Sequence, residues 1–356
     1  MKIFALFCEP ANYTLDLIRA VHGPRGVECT FLHSESEAGA EASRMEPVSP
    51  MPLLRKIGFF LRALETHDAF IVNGYTGFDR VLPILLNILF FRKPLALDSD
   101  TELRIPANLM KRALKWLWLR FLFTRRFCYG FAGGNFGHKD LFRHYGMEEE
   151  RIFLMPMMVD NSRYEMKRNP APGNPFAFGF IGRLVDIKQV DAVIAALRAI
   201  RSRGADASLL VVGDGPEAAR LKSLALDLPV EFRGRLFGRD KINALGEMDC
   251  LVLYSSYESW GLVVNEALAS GIPVVASDRV GANRNLVESD PPAGLVAKWN
   301  DTRDLADKME RIVKDRALWD SLRRNAEEKM RRWDYGLYSR NFDSWVAVLR
   351  AGKDAE

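Results

Sequence analysis

A chain of 356 residues, 48% of them apolar and 27% charged, is too long for one ordinary core and reads as two folded domains. The net charge of +4 is too small to suggest a nucleic-acid partner, but residues 51–143 hold 15 basic against 7 acidic side chains, a balance suited to an anionic lipid surface. Four cysteines, Cys8, Cys29, Cys128 and Cys250, lie scattered without C-x-x-C spacing, which argues against a disulfide framework and a zinc site and suits a reducing cytoplasm.

The opening MKIFALFCEP lacks the length and cleavage pattern of a secretory leader, so KIFALFC is read as a first strand. Arg, Lys or Pro interrupts every later apolar run before about 18 residues, and no membrane-spanning helix is expected. SESEAGAEASRMEPVSPMP (34–52), polar and rich in small residues, predicts a mobile loop. Strands DAFIVNG and KPLALDSD follow, the second ending in Asp98, Ser99 and Asp100.

MKRALKWLWLRFLFTRR (110–126) has helical length and two kinds of surface. At 100° per residue, Ala113, Leu114, Leu117 and Phe121 form one apolar face, while Lys111, Lys115, Trp118, Leu122 and Arg126 fall together on the other. Tryptophan among outward-facing cations suits a helix lying in a membrane interface, and MPLLRKIGFFLRALE (51–65) has the same character; packing of Trp116 and Trp118 beneath a neighbouring loop is the plainer alternative. His138 and His144 flank a helix in GHKDLFRHYG and are expected at the surface. RIFLMPM closes the strands of the first half, and KRNPAPGNPF (167–176), with three prolines and no apolar period, reads as a linker.

The second half repeats the strand-then-helix alternation of a parallel sheet. After FAFGFI, Gly182 permits a tight turn, and Arg183 and Lys188 place two cations at the mouth of a helix, a natural receptor for pyrophosphate. ASLLVVGDGP ends a strand at Gly213, VEFRG carries Arg235 directly after it, and DCLVLYSS leads into YESWGLVVNEALASGIPVVAS. There Glu258 lies in a loop, Gly261, Leu262 and Val263 present backbone N–H groups where a helix starts, and Glu266 falls in its second turn. Two acids beside a phosphate site make sense if each addresses hydroxyls, ribose oxygens for one and sugar oxygens for the other.

The succession GRLVDIK, VVGDGP, VEFRG and E-x7-E followed by GIPVVAS resembles the nucleotide-sugar domain of retaining GT-B glycosyltransferases of glycosyltransferase family four, closely over about residues 176–300. The resemblance implies an α/β fold of two Rossmann-like, doubly wound parallel-sheet domains facing a cleft. The expected division is an acceptor-binding, membrane-facing domain over 1–168, a nucleotide-sugar domain over 169–332, and a helix over 333–356 returning to the first. It further implies that Arg183 and Lys188, with the amides of Gly261, Leu262 and Val263, hold the donor pyrophosphate, near Gly182 and Gly213. Glu258 would face the donor sugar, Glu266 the ribose and Arg235 the nucleobase edge. Catalysis would be electrostatic, with retention and with neither metal nor cofactor beyond the nucleotide-diphosphate sugar itself.

The first domain departs from the family pattern: CEPANYT lacks the usual glycines, and Asp98 to Asp100 stand where a histidine is common. One of Asp98 and Asp100 would orient the acceptor hydroxyl or take its proton; helix capping and a metal-binding D-x-D are the alternatives. The expected acceptor is a lipid-linked glycan or oligosaccharide of surface polysaccharide synthesis, met peripherally at the cytoplasmic face of the cell membrane. The competing functions are a noncatalytic nucleotide-sugar-binding partner subunit and a GT-B-like sugar-nucleotide epimerase.

Overall fold

The structure is a computed structural model and describes residues 1–34, 47–165 and 171–354. Most of the expected loop over 34–52 and part of the expected linker over 167–176 lie outside these residues. The chain forms two compact units, Met1–Val159 with Tyr335–Glu356, and Asp160–Asp334. The division at 159 and 160 falls upstream of the proline-rich segment.

In the first unit, six parallel strands take the order β2-β1-β3-β4-β5-β6. The elements are β1 (Ile3–Phe7), α1 (Asn12–Leu17), β2 (Glu28–Phe31), α2 (Leu53–Thr66), β3 (Ala69–Asn73), α3 (Phe78–Leu86), β4 (Leu95–Ser99), α4 (Leu109–Phe123), β5 (Cys128–Ala132), α5 (His138–His144) and β6 (Ile152–Leu154). All of Ile3–Phe7 is buried, as befits a strand covered on both faces. On one face Phe4, Leu6, Phe70, Val72, Leu95 and Leu97 form a single core with the inner sides of α2, α3, α4 and α5.

The second unit has the strand order β12-β11-β10-β7-β8-β9, again all parallel. Its elements are β7 (Phe176–Ile181), α6 (Val190–Ser202), β8 (Ala207–Val212), α7 (Ala218–Leu224), β9 (Val230–Phe232), α8 (Gly238–Gly246), β10 (Cys250–Leu253), α9 (Leu262–Ala269), β11 (Val274–Ser277), β12 (Gly294–Ala297), α10 (Thr302–Lys314) and α11 (Arg316–Arg332). The last helix, α12 (Tyr335–Asp354), belongs to the first unit and covers the other face of its sheet. Trp345 meets Phe131 edge-on at 5.0 Å, and Asn341 donates to the Leu154 carbonyl at 2.7 Å.

Several readings are corrected by side-chain placement. Trp118 is half-buried and its indole N–H donates to the Tyr75 carbonyl at 2.9 Å, while Leu122 is fully buried, so neither can face a bilayer. The Tyr75 carbonyl and the aromatic core settle the rotation of α4, for which the periodicity points the other way because the buried side also carries cations, Lys115 among them. The exposed stripe is instead Met110, Leu114, Leu117 and Phe121, with Lys111 and Arg126 also exposed and Lys115 donating to the Arg104 carbonyl. His138, expected at the surface, is fully buried with its Nδ1 2.9 Å from the Phe136 carbonyl; His144 is exposed. No helix among the described residues is long and apolar enough to cross a membrane.

Candidate functional site

In a doubly wound sheet, ligands gather outside the carboxyl ends of the strands where the strand order reverses. In the second unit that point lies between β7 and β10, and the segments following these two strands carry Gly182, Arg183, Lys188, Glu258 and Gly261.

Backbone packing holds these segments in place. Gly182 donates to the Val212 carbonyl at 3.0 Å, and Gly213, at a φ of 144°, donates to the Gly234 carbonyl at 2.7 Å. A Cβ on Gly213 would stand 1.8 Å from the Gly182 oxygen, so no side chain fits there. The loop after β7 is tied to the loop after β10 by the Ile187 carbonyl, which accepts from the Ser256 amide at 2.8 Å and from its hydroxyl at 3.2 Å.

The same loops bring two of the candidate residues together. Lys188 Nζ forms an ion pair with Glu258, and Ser255 Oγ lies 3.4 Å from the same carboxylate. The Glu258 backbone is pinned by its amide to the Arg279 carbonyl and by its own carbonyl to the Gly281 amide, each at 3.1 Å. Gly261, at a φ of 92°, begins α9, and a Cβ there would press on Glu258 Cγ at 3.1 Å. The N–H groups of Leu262 and Val263 open the helix and find no acceptor among the described residues, a fixed partial positive charge beside the ion pair.

Glu266 is buried in α9, held by Lys241 Nζ at 2.6 Å and Tyr164 Oη at 3.1 Å. Neither of those partners carries a local sequence signal. Lys241 sits in the unremarkable run GRDK, and Tyr164 is 102 residues from the acid it meets. Arg183 and Arg235 are exposed at the ends of β7 and β9, Arg235 over the Phe237 ring at 5.7 Å, and neither is brought against the Lys188–Glu258 pair.

The first unit reverses its strand order between β1 and β3, and there too the structure has a cavity, of about 250 Å³. Asp98 and Asp100 line it together with Glu9, Asn73 and Arg80. Asn73 Nδ2 donates to Asp98 at 2.9 Å. Burial pushes the Asp98 carboxyl up to about 6, against the lowering effect of Asn73 and with a further push from Asp100.

Residues 161–333 match the family model described as glycosyl transferases group 1. A GDP-mannose-dependent alpha-mannosyltransferase of Mycobacterium tuberculosis (strain CDC 1551 / Oshkosh) is 39% identical over 124 residues, 34% of this chain and 30% of that protein. An N-acetyl-alpha-D-glucosaminyl L-malate synthase of Bacillus anthracis is 34% identical over 196 residues, 54% of this chain and 49% of that protein. The matched segments thus span half or less of these relatives' own lengths. Among solved structures, Anabaena HepE in complex with UDP-glucose covers 98% of this chain and 100% of its own, with a TM-score of 0.73 at 19% identity. The fold of the chain is therefore GT-B, and its second unit carries the sequence match to the group 1 glycosyl transferases.

Proposed function

We propose that the chain is a retaining glycosyltransferase that moves a sugar from a nucleotide-diphosphate sugar to a glycan acceptor, without a divalent metal. The observation that carries this reading is the Lys188–Glu258 ion pair at the reversal point of the second sheet, beside the first-turn amides of α9. A donor diphosphate competes for Lys188 and releases Glu258 to accept hydrogen bonds from the donor sugar. As the bond between the anomeric carbon and the diphosphate breaks, its electron pair leaves with the phosphate oxygen. Lys188, Arg183 and the amides of Leu262 and Val263 stabilise that growing charge. Glu266, oriented by Lys241 and Tyr164, takes the ribose hydroxyls, and Arg235 flanks the base. The acceptor hydroxyl forms the new bond, and we assign its proton to Asp98 or Asp100 in the first unit.

The acceptor is lipid-linked in this reading, and the chain meets an anionic bilayer through the exposed stripe of α4, whose Met110, Leu114 and Leu117 have Lys111, Arg112 and Arg120 around them. Its place is then the cytoplasmic face of the membrane, in surface polysaccharide synthesis.

The test is a panel of nucleotide sugars followed by thermal stabilisation and by proton NMR of the sugar released or transferred. Stabilisation by one donor, with slow hydrolysis or transfer that retains the anomeric configuration, supports the reading. Binding without turnover, even with membranes supplied, replaces it with a noncatalytic partner, and epimerisation of the donor alone replaces it with an epimerase.

A further inference from the structure

The cavity of the first unit contains a cation, Arg80, for which no counter-charge stands among the described residues. Arg80 lines it, and its Nη1 donates to the Thr76 carbonyl at 3.2 Å while its Nη2 meets Cys8 Sγ at 2.9 Å. Its Nε is buried and has no partner among the described residues. Three carboxylates, Glu9, Asp98 and Asp100, line the same space, yet no ion pair joins any of them to Arg80 among the described residues. A guanidinium presents five donors in a planar fork matched to carboxylate and phosphate, and leaving such a group half-buried without an anion is costly.

The site is also shaped for this side chain. Gly74 and Gly77 have φ values of 93° and 84°, and a Cβ on Gly74 would lie 3.1 Å from both Cδ and Nε of Arg80. Gly74 thus leaves room for the arginine stem, a Cβ there having to push it aside by a few tenths of an ångström, and a Cβ on Gly77 would meet Nη1 only at ordinary contact distance. The segment is GYTGFDR, so the glycines and the cation come from one short stretch of chain.

We propose that this cavity binds a hydroxylated ligand bearing an anionic group, a phosphate or carboxylate, with that group on Arg80 and its hydroxyls on Asp98 and Asn73. The proposal rests on the transferase reading in taking this ligand as the acceptor. The carboxylates that line the cavity are offset for the ligand's charged end by Arg80, which receives it, while the acids meet hydroxyls. The upward push on the Asp98 carboxyl reduces the opposing charge further. A phosphate of this kind can arrive on a soluble sugar or on a lipid carrier, and the two sources are separable.

The full-length protein, its nucleotide site filled with UDP, is titrated by calorimetry with methyl glucoside, glucose 6-phosphate and glucuronate, and with a polyprenyl phosphate in neutral vesicles. At least one anionic probe is expected to bind about 10- to 100-fold more tightly than methyl glucoside, the worth of a charge-assisted pair. Arg80→Gln should abolish that preference, and a tenfold increase in UDP should leave it unchanged, which assigns the anion to the first unit. A response to the soluble probes or to the vesicles alone names the source. Equal binding of neutral and anionic probes, or a preference that survives Arg80→Gln in a variant of unchanged melting temperature, overturns the proposal. Should glycosyl transfer persist in that case, the transferase reading stands without it; should no nucleotide sugar bind while the Arg80 dependence holds, the reverse is true.

Discussion

Replacing Lys188 with alanine removes the cation that, among the described residues, stands against Glu258. Both side chains are about one-fifth exposed, so the pair is neither fully solvated nor fully buried, and two separate losses are expected. The first is in binding: a charge-assisted contact to the diphosphate contributes about 1.5–3 kcal/mol, and its removal should weaken nucleotide-diphosphate affinity roughly 10- to 150-fold. The second is in the chemical step, where a fixed donor facing a developing oxyanion contributes about 2.7–4 kcal/mol, a hundred- to thousandfold in kcat. Among the described residues the variant also leaves the Glu258 side chain with Ser255 Oγ alone, at 3.4 Å, and the resulting stray charge could itself depress the rate. A double-mutant cycle with Glu258→Gln separates the two causes. If the lost cation matters, Lys188→Ala/Glu258→Gln is no faster than Lys188→Ala; if the stray carboxylate matters, the double variant recovers. Steady-state transfer or donor hydrolysis gives kcat, calorimetry with UDP gives affinity, and circular dichroism reports the fold. A folded Lys188→Ala variant with kcat within threefold of the parent would refute the reasoning.

Asp98→Asn tests the cavity acid through stability. Burial raises its carboxyl from 3.8 to about 6, so between these values the native state holds a proton that the unfolded chain has lost, and stability falls as pH rises through that window. The variant should therefore be more stable than the parent at about pH 7.5, by at most about 3 kcal/mol, with the difference vanishing below about pH 4 in urea melts. On α4, Leu114→Asp with Leu117→Asp should abolish co-sedimentation with anionic vesicles while leaving stability within about 0.5 kcal/mol. Leu122→Ala, on the buried side, should cost about 2–5 kcal/mol, and equal effects of the two changes would reverse the assigned faces. Turnover should be unchanged by EDTA; a loss that magnesium restores would show that cations of the chain do not suffice.

The segments bearing the donor-site candidates were legible because they obey local rules. A strand ending in glycine, a cation on the next turn and an acid ahead of a helix are each written within a few residues, as in FAFGFIGRLVDIK and YESWGLVVNEAL. Three strands are not legible locally: ECTF, CYGFA and GLVA are short and contain cysteine, threonine or glycine rather than a run of branched residues. Strand β5 can use Gly130 because Phe142 lies directly over it, where a Cβ would come within 2.7 Å of the ring, and that neighbour is invisible in the local sequence. The rotation of α4 was lost for a similar reason. Its periodicity points the other way, and a carbonyl 43 residues away decides which face is buried. Lys241 and Tyr164 at Glu266, and the unpaired state of Arg80, likewise exist only once distant segments meet.

The assignment of α12 to the first unit has a bearing on how the molecule is made. On a ribosome the strands of that unit emerge first, yet the sheet face around Phe131 and Leu154 has no cover until Phe342 and Trp345 have been synthesised. The second unit, contiguous from Asp160 to Asp334, can close on itself before then. Birth order and maturation order are thus inverted, and the early sheet completes this face only after the whole of the second unit has been made.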